Sequence, residues 1–209
     1  MTPRMLSATL RPRRTGFRNR EIFSGDQIYE EVGGYDIQRE PLDIATLDYL
    51  RKWYMFGWAY RDILKDRPTI CLVDDHDVYM GNIWGESGKA TIQEGSKKDI
   101  QDSGGYRMPP EWVNMVQRTQ TSHLPTPFDD TPVKRNIGVY YTQMNYGDIS
   151  FAILEDRKFK SAPKPLLPEA NVINGWPQNK AFKMIDANVL QAELLGQRQL
   201  DFLEIWAKD

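Results

Sequence analysis

Apolar residues fall along this chain in short runs, periodic stretches and gaps, and each kind predicts an element. Ile22-Phe23 is a brief apolar run leading into Ser24-Gly25-Asp26, an abbreviated strand followed by a loop. From 43 to 65, Leu47, Leu50, Tyr54, Trp58 and Ile63 recur at helical spacing, with Arg51, Lys52, Arg61 and Lys65 off that line. This predicts one long amphipathic helix with its aromatic stripe in the core, capped by Asp43 and ended by Pro68. Thr69-Ile70-Cys71-Leu72-Val73 is β-prone and bounded, the pattern of a buried strand in a parallel or mixed sheet. Strand, helix and strand in that order form a βαβ unit, which brings the loops after both strands to one edge of one sheet.

The rest of the chain is less regular. Residues 86 to 106, rich in Gly, Ser and Lys, read as an exposed loop. Pro109 and Pro110 open a helix from Glu111 to Gln120. Ile137 to Met144 and Ile149 to Leu154 read as a hairpin turning at Asn145-Tyr146-Gly147-Asp148. Residues 161 to 187 hold Pro163, Pro165, Pro168 and Pro177 with little periodicity, the pattern of a functional loop or lid. A closing helix is expected over roughly 187 to 208, with Leu190, Leu194, Leu195, Leu200, Leu203 and Trp206 on its apolar side. No internal repeat is present.

Composition narrows the chemistry. The chain has 209 residues, 40% of them hydrophobic and 11% aromatic, with a net charge of -2, an ordinary globular balance. No apolar run is long enough to span a membrane. A lone Cys71, inside the apolar strand, excludes an intramolecular disulfide framework and a multi-thiolate zinc site. With only His76 and His123 available, a metal site must lean on oxygen ligands. Residues 1 to 20 carry six arginines and no acid. A transit peptide fits that composition; a twin-arginine signal at Arg13-Arg14 lacks its apolar region; no basic and aromatic pattern supports a nucleic-acid arm. The preferred reading is a disordered tail or a mis-started terminus.

The sharpest chemical signal is Asp74-Asp75-His76-Asp77, directly after the second strand. Ligands bind at the carboxyl ends of strands in open α/β sheets. Three acids around one imidazole call for a counter-charge, usually a metal ion or a phosphate held through one. Asp26 projects from the other strand end, and Tyr29 lies one helical turn on, so that a carboxylate and a phenol can share a metal; the alternative is a helix start with an Asp cap and a surface tyrosine. Further candidates for metal or substrate contact are Asp74, Asn82, His123, Arg157 and Lys160. For the last two, a solvated charge run is an equal alternative. Ser87-Gly88-Lys89-Ala90 lacks the spacing of a phosphate-binding glycine loop.

Gly25-Asp26-Gln27-Ile28-Tyr29-Glu30 looks like a GDxxYE motif, and Asp74-Asp75-His76-Asp77 like a DDH[ED] motif. Leu154-Glu155-Asp156-Arg157-Lys158-Phe159-Lys160 is similar to a strand ending in D-x-R-x-[YF]-[RK], and Leu195-Gly196-Gln197-Arg198-Gln199 to an LGxxQ helix. On these motifs the chain resembles the PhoD-like (alkaline phosphatase D) branch of the calcineurin-like metallophosphoesterases. The resemblance implies an α/β fold with a β-sandwich flanked by helices. It implies iron and calcium ions, with Asp26 bridging two metals, Tyr29 a phenolate ligand to ferric iron, and Asp75 at a metal-binding position. His76 falls where the family contacts the phosphoryl group and protonates the leaving oxygen. A metal-activated water would attack phosphorus in line. The family's first metal motif precedes GDxxYE, where this chain has its arginine-rich segment, and its later ligands lie beyond residue 209. The expectation is a partial domain over 21–209.

The leading functional reading is therefore a metal-dependent phosphoesterase acting on small-molecule phosphate mono- or diesters. Its alternatives are an inactive fragment of such an enzyme and a binding module using the basic N-terminus. Family members are often exported, but no competent signal peptide is visible.

Overall fold

The computed structural model describes residues 20–34 and 36–208. The reading of residues 1–19 as a tail lies outside them. Arg20 is described and is anchored: its guanidinium donates to the Tyr146 carbonyl at 2.9 Å and lies over the Tyr146 ring at 3.8 Å.

Strand β1 (Glu21–Phe23) pairs in parallel with β2 (Thr69–Cys71), Phe23 opposite Cys71. Between them lie α1 (Leu42–Ala59) and the single turn α2 (Arg61–Leu64), separated where Tyr60 leaves helical geometry (φ −100, ψ 7). The expected βαβ unit is present, with its helix in two pieces. Pro41, not Asp43, is the N-cap, and Asp43 sits in the first turn, where its charge favours the helix dipole.

The buried face of α1 differs from expectation. Leu47, Tyr54 and Trp58 are 63%, 68% and 59% exposed, while Ala45, Asp48, Tyr49, Lys52 and Phe56 are buried. Asp48 and Lys52 make that face tolerable by pairing at 2.7 Å, and Asp48 also accepts from the Tyr79 hydroxyl at 2.8 Å. Tyr49, Tyr79 and Trp112 pack together at the centre of the main core. Truncating any of them to alanine costs about 3–5 kcal/mol.

Residues 86 to 106 are not simply an exposed loop, since they form α3 (Lys97–Asp102), capped by Ser96, with Ile100 and Asp102 buried. Helix α4 (Pro110–Thr121) opens on proline as expected and buries Trp112, Val113 and Val116. Strands β3 (Thr142–Tyr146) and β4 (Ile149–Ile153) form the hairpin. Gly147 (φ 57) and Asp148 (φ 62) make the turn, both in the left-handed region that suits strand twist in a two-residue loop. The proline-rich stretch holds α5 (Pro163–Leu166) and a small hairpin, β5 (Val172–Ile173) with β6 (Trp176–Pro177).

The closing helix α6 (Gln197–Trp206) is shorter than expected. Phe202 and Gln199 dock it, while Leu190 and Leu200 stay exposed. Gln199 brackets Glu155, accepting from its N–H at 2.8 Å and donating to its carbonyl at 2.7 Å.

The fold is thus a mixture of helices and small sheets. Among the described residues the strands form three separate two-stranded sheets, and no closed β-sandwich is present.

Candidate metal centre

The carboxyl ends of β1 and β2 are held together by one side chain. Asp77 is fully buried and accepts three backbone N–H groups: Asp26 at 2.9 Å, Ile28 at 3.1 Å and Asp74 at 2.9 Å. Burial pushes its carboxyl up to about 7, against the Asp74 and Ile28 amides, which favour the anion. Gly25 permits the close approach of the two loops. It has φ 120, and a Cβ there would lie 2.3 Å from the Asp74 Cβ. Its freedom accommodates the neighbouring loop.

This stitching brings Asp26, Asp75 and His76 into one group, with a ligand atom of each within 4.8 Å of the others. Asp26 adopts φ 57 and Asp75 is 5% exposed. Asp75 Oδ2 accepts a short hydrogen bond from the Asn82 backbone N–H. Tyr29 donates its hydroxyl to Asp26 Oδ2 at 2.9 Å and stacks on the His76 ring at 4.2 Å between centroids. His76 Nδ1 meets Glu30 Oε2 at 2.7 Å, which leaves Nε2 as the nitrogen for other partners. Glu30 is itself 2% exposed, with Arg39 3.8 Å away and its own carbonyl taken by Lys52 at 2.8 Å.

Charge in the group is unbalanced. Burial, then the charge of Asp75, raises Asp74 above its ordinary value, with Arg157 opposing. Burial raises Asp26, against the Tyr29 hydrogen bond. Tyr29 is pushed up to about 12 by burial and by its bond to Asp26. Burial lowers His76, but Glu30, Asp75 and Asp26 outweigh it and hold the imidazole above its usual range. Asp26, Asp74 and Tyr29, each raised by burial and by the acids beside it, are groups that a cation relieves.

Of the further candidates, Arg157 is brought in: its Nε pairs with Asp74 at 2.5 Å, and its Nη2 lies 3.8 Å from Asp75. Asn82 reaches the group through its backbone. Lys160 lines a neighbouring cleft with Asn82 and Arg157. His123 is not brought in. Its Nε2 is bonded to the Thr69 carbonyl at 2.8 Å, at the opposite end of β2.

Sequence reasoning passed over Glu30 and Asp77. Glu30 closes the GDxxYE motif, a signal that points to it. Nothing in the string of acids marks Asp77 as the brace and its neighbours as the ligands.

Carboxylates, a phenol and one imidazole at two strand ends define a centre suited to a hard cation. No protein-family model and no curated protein matches the chain. A solved structure titled "Structure of PhoD" is similar to it, with a TM-score of 0.46 and 17% identity, over 87% of this chain and 32% of that one. The chain thus spans about a third of that protein's length. Among the described residues no helix is long and apolar enough to cross a membrane.

Proposed function

We propose that the chain is a metal-dependent phosphoesterase, or the portion of one that carries the Asp26–Asp75–His76 group. The observation that carries this reading is the buried Asp26 Oδ1, which meets no N–H or hydroxyl donor among the described residues although Asp75 and His76 stand beside it. A buried carboxylate oxygen left without a partner costs about 1–3 kcal/mol or more, and a cation removes that cost. The donor set fits such an ion. Asp26 and Asp75 would hold it, with Tyr29 as a third oxygen ligand. The GDxxYE and DDH[ED] resemblance agrees with this assignment and favours iron and calcium. A bound metal supplies Lewis acidity toward a phosphoryl oxygen and makes a water acidic enough to react near neutral pH.

The chain's own residues do the rest. Arg157, turned toward the carboxylates, orients phosphoryl oxygens. His76, fixed at Nδ1 by Glu30, presents Nε2 to the phosphoryl group and gives its proton to the departing alcohol oxygen as the P–O bond breaks. A water oxygen takes that place on phosphorus, keeping one proton while the other replaces the one His76 gave, and the products are hydrogen phosphate and a neutral alcohol, or a monoester and an alcohol from a diester.

The test is metal content by elemental analysis beside hydrolysis of a chromogenic phosphate ester. Asp26→Asn/Asp75→Asn is expected to lose both, and His76→Asn to lose hydrolysis but keep the metal. Hydrolysis surviving the double substitution would sink the metal-site assignment. Metal lost in His76→Asn would make that residue a ligand and not the acid.

A further inference from the structure

Next to the acidic group lies a cleft of about 430 Å³, within the ~300–1,000 Å³ range in which proteins hold small molecules. It shares Asn82 and Arg157 with the metal centre and adds Lys160, so its polar end carries two cations. Its other walls are apolar, formed chiefly by Trp84, Leu166, Trp176 and Leu194. Trp176 and Leu194 are 67% and 52% exposed, large hydrocarbon surfaces left in water.

We infer that this cleft takes the apolar alcohol moiety of a phosphate ester, an aryl or comparably bulky hydrocarbon group, with the phosphoryl end at Arg157, Lys160 and Asn82. The inference rests on the phosphoesterase reading and adds the substrate class. Charge complementarity orients the ester, since its anionic end matches the two cations and only its uncharged end is left for the tryptophan walls. A sugar or polyol would need hydrogen-bonding groups there. The walls offer few: Ser161 N–H is spent on the Glu193 carbonyl and Glu193 N–H on Ser161 Oγ, each at 3.0 Å, which leaves one carboxylate and one hydroxyl on otherwise apolar walls. The Glu193 carboxylate also disfavours a second phosphate.

The wall is pre-formed. Asp102, 1% exposed, accepts the Asn174 and Gly175 N–H groups at 2.8 Å each, and Asn82 Nδ2 donates to the Asn174 carbonyl at 3.3 Å. Gly175 sits on the Trp84 ring, where an added Cβ would come within 2.5 Å. The hairpin that carries Trp176 is therefore fixed against the centre, and a ligand need not order it first.

The experiment is calorimetric titration of the full, metal-loaded chain with methyl-, phenyl- and naphthylmethylphosphonate, whose carbon–phosphorus bonds resist hydrolysis. Hydrolysis of naphthyl phosphate is measured alongside. Affinity is expected to rise by about tenfold or more from the methyl to the naphthylmethyl compound. Trp176→Ala, at an exposed position and checked for folding by circular dichroism, should remove most of that rise. A flat series in a chain that hydrolyses the ester would overturn the cleft assignment and leave the phosphoesterase reading standing. A graded series lost in Trp176→Ala, in a chain with no hydrolysis, would support the cleft and defeat the phosphoesterase reading. No binding by any phosphonate, or a graded series that Trp176→Ala leaves intact, would overturn the inference.

Discussion

Replacing Asp77 by asparagine changes one atom of a residue that touches no substrate, yet it should damage both the fold and the metal centre. Oδ2 of Asp77 receives two amides, from Asp26 and Asp74, and Oδ1 receives a third, from Ile28. Asparagine keeps one oxygen. If that oxygen serves the first two amides, its NH₂ is driven against the Ile28 N–H, donor facing donor. The change loses a charge-assisted hydrogen bond, about 1.5–3 kcal/mol, and leaves a buried donor unsatisfied, about 1–3 kcal/mol more. These add to about 2.5–6 kcal/mol, offset in part because asparagine no longer buries a charge that burial pushes up to about 7, against the ~5–15 kcal/mol that holds a typical domain together. The assay is urea unfolding at pH 8, above the value of about 7 to which burial pushes Asp77, with chelator present so that metal binding does not mask the loss. The midpoint should fall with the slope unchanged. Metal affinity, titrated separately, should fall as well, because the Asp26 backbone has lost its anchor. A stability change below about 1 kcal/mol, or unaltered metal affinity, would refute the view that Asp77 braces the two strand ends.

Three further outcomes are expected. Glu30→Gln should retain the metal but lower kcat, because the His76 ring loses the carboxylate that fixes it; parallel metal analysis and kinetics check this, and unchanged kcat would remove Glu30 from the mechanism. Burial pushes Asp48 up, but the bonds from Lys52, Tyr79 and Arg51 outweigh it and hold its carboxyl below the ordinary value. Its stabilising contribution is therefore complete above the unfolded value near 3.8 and is lost as pH falls through the lowered folded one. Urea midpoints taken from pH 6 down to pH 2.5 should fall more steeply in the wild type than in Asp48→Asn, which should be weaker by about 3–5 kcal/mol at pH 6, with the gap narrowing toward pH 2.5, because Lys52 is left buried without its charge partner. On α1, Leu47→Gln should change stability by no more than about 0.5 kcal/mol, while Tyr49→Ala costs about 3–5 kcal/mol; equal effects would mean that the wrong face has been assigned to the core.

The helix α1 shows why part of the fold was legible and part was not. Its existence followed from periodicity. Its orientation did not, because two stripes compete. Leu47, Leu50, Tyr54 and Trp58 form the more hydrophobic line, but Ala45, Asp48, Tyr49, Lys52 and Phe56 are buried. The winning stripe contains an acid and a base that neutralise each other and serve Tyr79 and the Glu30 carbonyl. A scale that scores charges as solvent-facing cannot register a pair that is buried together. The closing helix was legible in part: Leu203 and Trp206 pack against the cluster of Val139, Tyr141, Phe159 and Phe202 as expected, while Leu190, Leu194 and Leu200 stay exposed and Phe202 and Gln199 form the buried contact. The strand ends were readable because charge abruptly follows an apolar run, and Asp26, Tyr29, Asp75 and His76 do meet. Asp77 looked like its neighbours because its role depends on amides that only the folded chain brings to it.

Asn82 belongs to two parts of the molecule at once. Its backbone N–H shapes Asp75 and its side-chain amide holds the Asn174 carbonyl of the β5–β6 hairpin. The hairpin and the carboxylate pair are therefore geared to one residue, and neither can shift without loading the other. If Asp26 and Asp75 hold a cation, as proposed, a ligand that repositions the hairpin would change the grip on it, and by thermodynamic reciprocity the cation would change the grip on that ligand by the same factor.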